Sequence, residues 1–334
     1  MINVGIIGFG YWGPNLVRNF LAQKKCIVAA IAESKTQRQA EISKMYPGIR
    51  NYSDAGDLIN DSTIDAVVIA TPVFSHFPLA LKALEQGKHV LLEKPMTSTV
   101  EEASILIDLA AKKGLTLMVD HTFLYTGAVQ KINEIIANGG IGTVQYFDST
   151  RINLGLFQPD VNVLWDLAPH DISILTYLVK DTPLSVNATG ISHTKNGIEN
   201  IAYMTVNYER DFVAHFNCSW TSPVKVRSTL IGGNEKMIVY NDLEPSEKVR
   251  IYDTGFNHTT YEDKNSIMVD YRVGDIYLPK IAGTEALFKV AEDFINSIEN
   301  ETEPLSSSLL GLNVVRILEA SQNSIKNNGK EVRL

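Results

Sequence analysis

The sequence has few cysteines, no long apolar run and no excess of basic charge. Its 334 residues include only Cys26 and Cys218, too few for a disulfide framework or a zinc ribbon, so we expect quiet buried thiols. The longest apolar stretches, such as residues 66–70, have the length of a strand and cannot span a bilayer. A net charge of −8 disfavours nucleic acid and anionic membranes as partners. With no signal-peptide pattern before the first strand, we expect a soluble protein of the cytoplasm.

A glycine fingerprint follows the first apolar run of the chain. It reads Gly8-Phe9-Gly10-Tyr11-Trp12-Gly13. In such a motif the first glycine makes the turn, the second lets a phosphate approach the backbone, and the third lets a helix pack on a strand. The helix N-terminus adds N–H groups and a positive dipole end. The fingerprint predicts a pyrophosphate-binding turn, although glycines also end strands for steric reasons alone.

Strands and helices alternate over the first third of the chain. The predicted strands are residues 2–7, 26–32, 66–70, 89–92 and 115–119, with helices near 14–21, 36–45, 78–86 and 100–111. The strands are continuous apolar runs, which is typical of a parallel sheet buried on both faces. This pattern predicts an α/β fold with a doubly wound, Rossmann-type domain over residues 1–122.

The pattern changes after residue 122. Predicted strands at 144–149, 201–208, 211–220, 227–231 and 236–240 follow, with helices near 128–137, 167–178, 284–298 and 309–326. Polarity alternates with a period close to two in these strands, which is typical of an antiparallel sheet with one covered face. Residues 253–275 are polar and predict a long surface excursion. We therefore expect a second, α+β domain over residues 123–334, whose C-terminal helix can pack back on the first domain.

Charged residues close two of the predicted parallel strands, at the edge where open α/β sheets bind ligands. Glu33 follows the second strand, where a carboxylate accepts hydrogen bonds from the adenosine ribose and repels the extra phosphate of NADP. We expect NAD, although Ser34 and Lys35 could cradle a 2′-phosphate. Lys94, in Glu93-Lys94-Pro95, can donate to a substrate hydroxyl and to the cofactor ribose. Alone, this triplet would indicate no more than a charged strand end.

Residues 165–171 combine a carboxylate with an imidazole. Because Pro169 is unfavourable deep inside a helix, we expect a helix to begin just before it, with Asp166 near the N-cap and His170 about one turn on. A carboxylate beside an imidazole fixes its tautomer and suits a general base. Alternatively, Asp166 only caps the helix and His170 lies on its surface. The ligands are too few for zinc, so we expect no metal.

The chain contains, in this order, the glycine fingerprint, the Glu-Lys-Pro triplet and the pair of Asp166 and His170. Together they resemble the glucose–fructose oxidoreductase and inositol dehydrogenase family, and the likeness covers essentially the whole chain. The resemblance implies that His170 is the catalytic base, Asp166 its orienter and Lys94 the donor to the substrate oxygen. Besides the glycine turn and Glu33, it implies a dinucleotide pocket lined by Thr71, Pro72, His76, Glu93, Lys94 and His121. In the family, the second domain is an open, mainly antiparallel sheet that binds substrate and contacts other subunits, which implies a homodimer or homotetramer.

Residues 10–15, 120–123 and 160–171 resemble the nucleotide-sugar branch of this family. The likeness implies oxidation of the C3 hydroxyl of UDP-N-acetylglucosamine to a ketone. The expected substrate contacts are Lys94, Arg151, Asn153, Asn162, Trp165, His170 and Arg227, with the arginines chosen as cations for a diphosphate. Each arginine could equally be a solvated surface charge without a substrate contact. Trp165 could equally have a packing role. An inositol or free-sugar dehydrogenase, a ketoreductase, an NAD-dependent glycoside hydrolase and a cofactor sensor also stay open.

Overall fold

The chain forms two compact units. The computed structural model describes residues 1–155, 157–258 and 269–334. The first unit comprises Met1–Thr126 and Thr284–Arg316, and the second comprises Gly127–Gly283 and Ile317–Leu334. The observed break at residue 126 lies close to the predicted one at residue 122. Residues 284–316, which the prediction assigned to the second domain, belong to the first unit instead.

The first unit is built on a six-stranded parallel sheet. In chain order its main elements are β1 (Ile2–Ile7), α1 (Gly13–Leu21), β2 (Cys26–Ala32), α2 (Thr36–Met45), β3 (Arg50–Tyr52), α3 (Ala55–Asn60), β4 (Ala66–Ile69), α4 (His76–Glu85), β5 (His89–Glu93), α5 (Val100–Lys113) and β6 (Leu117–Asp120). The strand order is β3-β2-β1-β4-β5-β6, so the winding reverses between β1 and β4. Sheets of this topology bind ligands at the carboxyl ends of the strands, at that reversal. The predicted doubly wound domain is confirmed.

The apolar strands form because both faces of the sheet are covered. All four residues of β4 and all four of β6 are buried, and the apolar runs in the sequence reflect this double burial. Helix α5 shows how the connecting helices are delimited. The Thr99 hydroxyl accepts from the backbone N–H of Glu102 at its start, and Gly114, with a φ of 66°, ends it. Strand β3 and helix α3 were not predicted, because both are short and β3 is polar.

The second unit is built on a nine-stranded sheet. The remaining elements of the chain are α6 (Gly127–Ala137), β7 (Val144–Ile152), α7 (Val163–Leu178), β8 (Pro183–Ile191), β9 (Ile201–Tyr208), β10 (Val213–Ser219), β11 (Val226–Gly233), β12 (Met237–Asn241), β13 (Val249–His258), β14 (Val269–Tyr277), α8 (Ala286–Asn300), α9 (Ser308–Lys326) and β15 (Val332–Arg333). Helix α8 belongs to the first unit. The strand order is β14-β13-β12-β11-β7-β10-β9-β8-β15. Only the β7–β10 pair is parallel among the described strands of this sheet. The predicted open, mainly antiparallel sheet is confirmed.

One face of this sheet is covered by helix α7. In β9 the even-numbered residues, such as Met204 and Val206, are buried, and α7 lies against β7 and β10. The predicted surface excursion over residues 253–275 is wrong at both ends. There β13 and β14 form an antiparallel pair, with Thr254 opposite Val273. The middle of that stretch, residues 259–268, lies outside the described residues.

Both cysteines are buried free thiols, as predicted. Burial raises the pKa of Cys26 to about 11 and also raises the pKa of Cys218, so both are protonated at neutral pH. Over the ranges that the structure describes, none of the helices combines the length and the apolar character needed to cross a membrane.

Candidate functional site

The glycine turn between β1 and α1 has the geometry that a pyrophosphate requires. Gly8 has a φ of 96°, and a Cβ there would lie 2.5 Å from the carbonyl oxygen of Ala70. A Cβ on Gly13 would lie 2.5 Å from the Gly8 carbonyl oxygen, so this glycine lets α1 approach the strand. At Gly10 the only atom near such a Cβ is the Arg38 Nη1, at 3.6 Å, so the backbone is open to a phosphate. No described side chain caps α1, which leaves its N-terminus to an anion.

We expect Gly8→Ala to destabilise the protein more than Gly87→Ala, which is the matched control. Both glycines have positive φ angles, 96° and 74°, but a Cβ on Gly87 meets nothing within 4 Å. Backbone strain alone makes the cost of Gly87→Ala roughly 1–2 kcal/mol. Gly8→Ala adds the overlap with a backbone oxygen, so its free-energy cost in urea unfolding should be at least twice as large, with weaker NAD binding. Equal costs for the two variants would show that the turn tolerates a methyl group.

Glu33 is buried at the carboxyl end of β2, where it joins two backbone segments. Its Oε2 accepts from the backbone N–H of Phe9 at 2.9 Å, and its Oε1 accepts from that of Lys35 at 2.9 Å. The Arg38 Nη1 lies 3.9 Å from Oε2. The carboxylate therefore links the glycine turn to the start of α2, and it places a negative charge where the adenosine ribose of a dinucleotide binds.

His76 lies inside the first unit, which corrects its predicted place in the dinucleotide pocket. Its ring is 1% exposed, with Nδ1 at 2.9 Å from the Pro95 carbonyl oxygen and Nε2 at 2.8 Å from that of Thr71. Burial lowers the pKa of this imidazole, so the ring is neutral and donates to one of the two carbonyls. His76 thus lies between the loop after β4 and the segment Glu93-Lys94-Pro95, with one nitrogen against each. Neither nitrogen is left for a cofactor.

Glu93 and Asp120 end neighbouring strands and lie side by side. They are partners in the parallel register of β5 and β6, so their side chains point to the same face. Burial, together with repulsion by Asp120, raises the pKa of Glu93 to about 8, and burial raises that of Asp120 to about 6. The Lys94 ammonium opposes both shifts. This carboxyl pair therefore retains a proton near neutral pH.

His121 follows Asp120 and is completely buried. Neither of its ring nitrogens has a hydrogen-bond partner among the described residues. Burial, with a smaller effect of Lys94, lowers its pKa to about 3, so the imidazole is neutral. The expected contact of His121 with a dinucleotide stays a prediction, as do the contacts of Thr71, Pro72, Tyr11 and Trp12. No site role for Asp120 was predicted, although an acidic residue that closes an apolar strand was the available signal.

Helix α7 carries Asp166 and His170 but begins earlier than predicted. Asn162 is its N-cap, and the Asn162 Oδ1 accepts from two backbone N–H groups of the first turn. Asp166 therefore lies within the first turn and not at the N-cap. Pro169 lies inside the helix, where it lacks an N–H for the preceding turn. The prediction was wrong because it let the proline set the helix start, whereas the asparagine cap and the apolar face of α7 set it.

Asp166 and His170 are neighbours on one face of α7, since they are four residues apart in the helix. Both side chains are half-buried. The Trp220 Nε1 donates to the Asp166 Oδ2 at 2.9 Å and so fixes the orientation of that carboxylate. Sequence reasoning missed Trp220, because it lies just after β10, far from α7 in the chain. The arrangement places an oriented carboxylate beside an imidazole, which suits proton transfer.

Two predicted substrate contacts have internal roles instead. Arg151 on β7 is 4% exposed, and its Nε and Nη2 donate to the two carboxylate oxygens of Asp171 at 2.8 and 2.7 Å. This pair fastens α7 to β7. Asn162 is buried, and its amide donates to Glu199 and Gln322 while its oxygen caps α7. Neither side chain is a candidate for binding a diphosphate or a sugar.

The other predicted substrate residues of the second unit are half-buried. The Arg227 Nη1 lies 3.2 Å from the Asp242 Oδ2, and the backbone N–H of Asn153 donates to the Ser219 carbonyl oxygen at 3.0 Å. Contacts of Arg227, Asn153 and Trp165 with a substrate stay predictions. Within the described part of the chain, no three His, Cys, Asp or Glu side chains are grouped so as to hold a metal ion.

Two family models match the chain. Residues 2–121 match "Oxidoreductase family, NAD-binding Rossmann fold", and residues 129–239 match "GFO/IDH/MocA C-terminal domain". The first match contains the glycine turn, Glu33, Lys94 and Asp120. The second contains helix α7, with Asp166 and His170.

Several curated proteins are similar to the chain. Uncharacterized oxidoreductase YdgJ of Escherichia coli is 34% identical over 185 residues, which are 51% of each chain. UDP-N-acetylglucosamine 3-dehydrogenase of Acidithiobacillus ferrooxidans is 30% identical over 213 residues, 62% of this chain and 64% of that one. The scyllo-inositol 2-dehydrogenase (NADP(+)) IolW of Bacillus subtilis is 24% identical, over 97% of this chain and 94% of the relative. The chain thus matches between half and two thirds of the length of the first two relatives.

Solved structures have the same fold. UDP-N-acetylglucosamine 3-dehydrogenase GnnA of Acidithiobacillus ferrooxidans superposes with a TM-score of 0.81 at 24% identity, covering 98% of this chain and 99% of that one. Levoglucosan dehydrogenase in complex with NADH superposes with a TM-score of 0.84 at 23% identity, covering 99% of this chain and 98% of that one. At these identities the likeness concerns the fold and leaves the substrate open.

Proposed function

The chain belongs to the GFO/IDH/MocA oxidoreductase family, and we propose that it is an NAD-dependent dehydrogenase that oxidises a secondary hydroxyl of a nucleotide sugar. The substrate we propose is UDP-N-acetylglucosamine, oxidised at C3. The observation that carries this choice is the 30% identity to UDP-N-acetylglucosamine 3-dehydrogenase over 62% of the chain.

In the proposed reaction the protein moves the proton of the hydroxyl and holds its oxygen. His170 takes the proton, and Asp166 fixes the tautomer of the imidazole. The bond from Trp220 to Asp166 supports this assignment, since an oriented carboxylate is what such a base requires. Lys94 donates to the hydroxyl oxygen. NAD, when bound, supplies the hydride acceptor.

The first unit supports NAD as the cofactor. The open backbone at Gly10 suits a pyrophosphate, and the buried carboxylate of Glu33 suits the ribose hydroxyls of adenosine. We propose NAD and not NADP, because that same carboxylate repels a 2′-phosphate. Lys35 and Arg38 are cations beside Glu33, and their positive charges would favour the 2′-phosphate of NADP. A comparison of NAD with NADP in the activity assay tests this choice.

We expect the purified protein to form NADH from NAD and UDP-N-acetylglucosamine, followed by absorbance, and to form much less with myo-inositol. The same mixture with NADP in place of NAD should react more slowly, and a mixture without sugar gives the background rate. Turnover with myo-inositol alone would favour an inositol dehydrogenase, an alternative supported by the similarity to IolW over 97% of the chain. Release of a cleaved sugar without net NADH would favour a glycoside hydrolase.

We also propose that the protein is a homodimer or homotetramer that assembles through the sheet of the second unit. The face opposite α7 carries apolar side chains that are exposed in the single chain, among them Tyr203, Val213 and Leu230. Large exposed apolar surfaces of this kind are typical of subunit interfaces.

A further inference from the structure

Asp120 of the carboxyl pair Glu93–Asp120 has an acceptor oxygen that no described residue uses. The Asp120 Oδ1 accepts from the Thr122 hydroxyl at 2.6 Å, but Oδ2 is buried and has no hydrogen-bond partner among the described residues. Asp120 is 2% exposed, so water does not compensate freely for the missing partner. A buried carboxylate oxygen without a partner is costly, and it is uncommon in a folded protein unless a ligand or a proton completes it.

The topology places this pair on the half of the sheet that receives the second nucleotide. A doubly wound sheet consists of two mononucleotide-binding halves, and the dinucleotide lies across the reversal between them. Here Glu33 ends β2 in the half formed by β1, β2 and β3, which is the adenosine half. Glu93 and Asp120 end β5 and β6 in the other half. By this symmetry they belong to the nicotinamide end of the cofactor.

We propose that Asp120, paired with Glu93, makes the protein prefer oxidised over reduced nicotinamide cofactor and couples the binding of NAD+ to proton release from the pair. The nicotinamide ring is positively charged in NAD+ and neutral in NADH, whereas the rest of the molecule is the same. A negative charge near the ring therefore stabilises one form selectively. The O–H bond of the protonated pair breaks, the electron pair stays on the carboxylate, and the proton passes to the solvent buffer.

The charged groups around the pair are compatible with this coupling. Lys94 contributes one positive charge. Once both carboxylates are ionised, they carry two negative charges, so the net charge of the three groups is negative. His121 is neutral. Tyr125 is also neutral, because burial raises its pKa, and its hydroxyl donates to Asp293 of α8 at 2.6 Å. Asp293 thus accepts from a described donor, whereas the Asp120 Oδ2 has no partner among the described residues.

The inference rests on the assignment of the first unit as an NAD-binding domain, but not on the identity of the substrate. The experiment measures the dissociation constants of NAD+ and NADH in the absence of sugar. Fluorescence of the half-exposed Trp12, within the glycine turn, and of NADH itself can report binding.

We expect the ratio Kd(NADH)/Kd(NAD+) to rise roughly tenfold as the pair loses its proton. This factor corresponds to the interaction energy of two unit charges about 10 Å apart at an effective dielectric constant of about 20. The rise should occur between about pH 6 and pH 8, because deprotonation increases the negative charge beside the ring. In Asp120→Asn the ratio at pH 8 should fall by about the same factor. The matched control is Asp65→Asn, which removes an exposed carboxylate at the amino end of β4, on the opposite edge of the same sheet.

Calorimetry of the unmodified protein tests the proton directly and does not depend on the folding of any variant. Titrations in two buffers of different ionisation enthalpy count the protons released, and more should be released with NAD+ than with NADH at pH 7. Equal counts, or the same affinity ratio in Asp120→Asn and the unmodified protein, would overturn the inference and leave the proposed dehydrogenase intact. Failure of both nucleotides to bind would overturn the inference and the proposed function together.

Discussion

Replacement of His170 by alanine is expected to lower kcat for sugar oxidation about a hundred- to ten-thousand-fold, with the Kd for NAD unchanged. The imidazole is the proposed base, and it lies on α7 next to Asp166, whose carboxylate is oriented by Trp220. Without it, the hydroxyl must lose its proton to water. Steady-state formation of NADH measures kcat, and cofactor binding is measured separately by fluorescence.

The matched control is His215→Ala. This half-exposed imidazole lies on β10 in the same unit, with its Nδ1 3.3 Å from the Asp148 Oδ1, and it has no part in the proposed chemistry. His215 lies on the sheet face proposed for subunit contact and takes no part in the proposed proton transfer, so we expect the kcat of this variant to stay within about twofold of the unmodified protein. Lys94→Ala should lose turnover like His170→Ala. Full activity in either of these two variants would remove that residue from the mechanism.

Replacement of Arg151 by methionine is expected to lower the free energy of unfolding by about 3–5 kcal/mol, because it leaves a buried charge on Asp171 without its partner. The pair is bidentate, and both side chains are almost completely buried between β7 and α7. The double variant Arg151→Met/Asp171→Leu should recover much of this loss, since it removes both charges. Chemical denaturation with urea measures both values.

Lys131→Met serves as the control for this stability prediction. Its ion pair with Glu134, at 2.7 Å, is exposed on the surface of the second unit. Exposed pairs of this type contribute less than about 1 kcal/mol. If Arg151→Met cost no more than Lys131→Met, the buried pair would not fasten α7 to the sheet, and Arg151 would again be a candidate for a ligand contact.

The fold of the first unit was predictable because its signals are local. Continuous apolar runs such as Ile2–Ile7 mark strands that are buried on both faces, and glycines mark the turns between them. The glycine turn and Glu33 follow these strands directly, so their positions at the sheet edge were predictable as well. Short polar elements such as β3 leave no comparable pattern, and they were missed.

The partners of the candidate site residues were not predictable in this way. The bonds from Trp220 to Asp166 and from Arg151 to Asp171 join segments that are distant in the chain. A hydrophobic period indicates which face of an element is buried, but it carries no information about what covers that face. For this reason Arg151, His76 and Asn162 looked like ligand contacts in the sequence and have internal partners in the structure.

The sequence by itself determined the two architectures, the family and the residue types that carry the proposed chemistry, since each depends on patterns within a few neighbouring residues. The tertiary structure alone decided which polar side chains are already satisfied and which are left for a ligand. Asp120 shows the difference: in the sequence it ends an apolar strand, whereas the pairing of β5 with β6 makes it the buried member of a carboxyl pair. Burial and register, which arise only when strands assemble, create that pair and shift the pKa of each of its members.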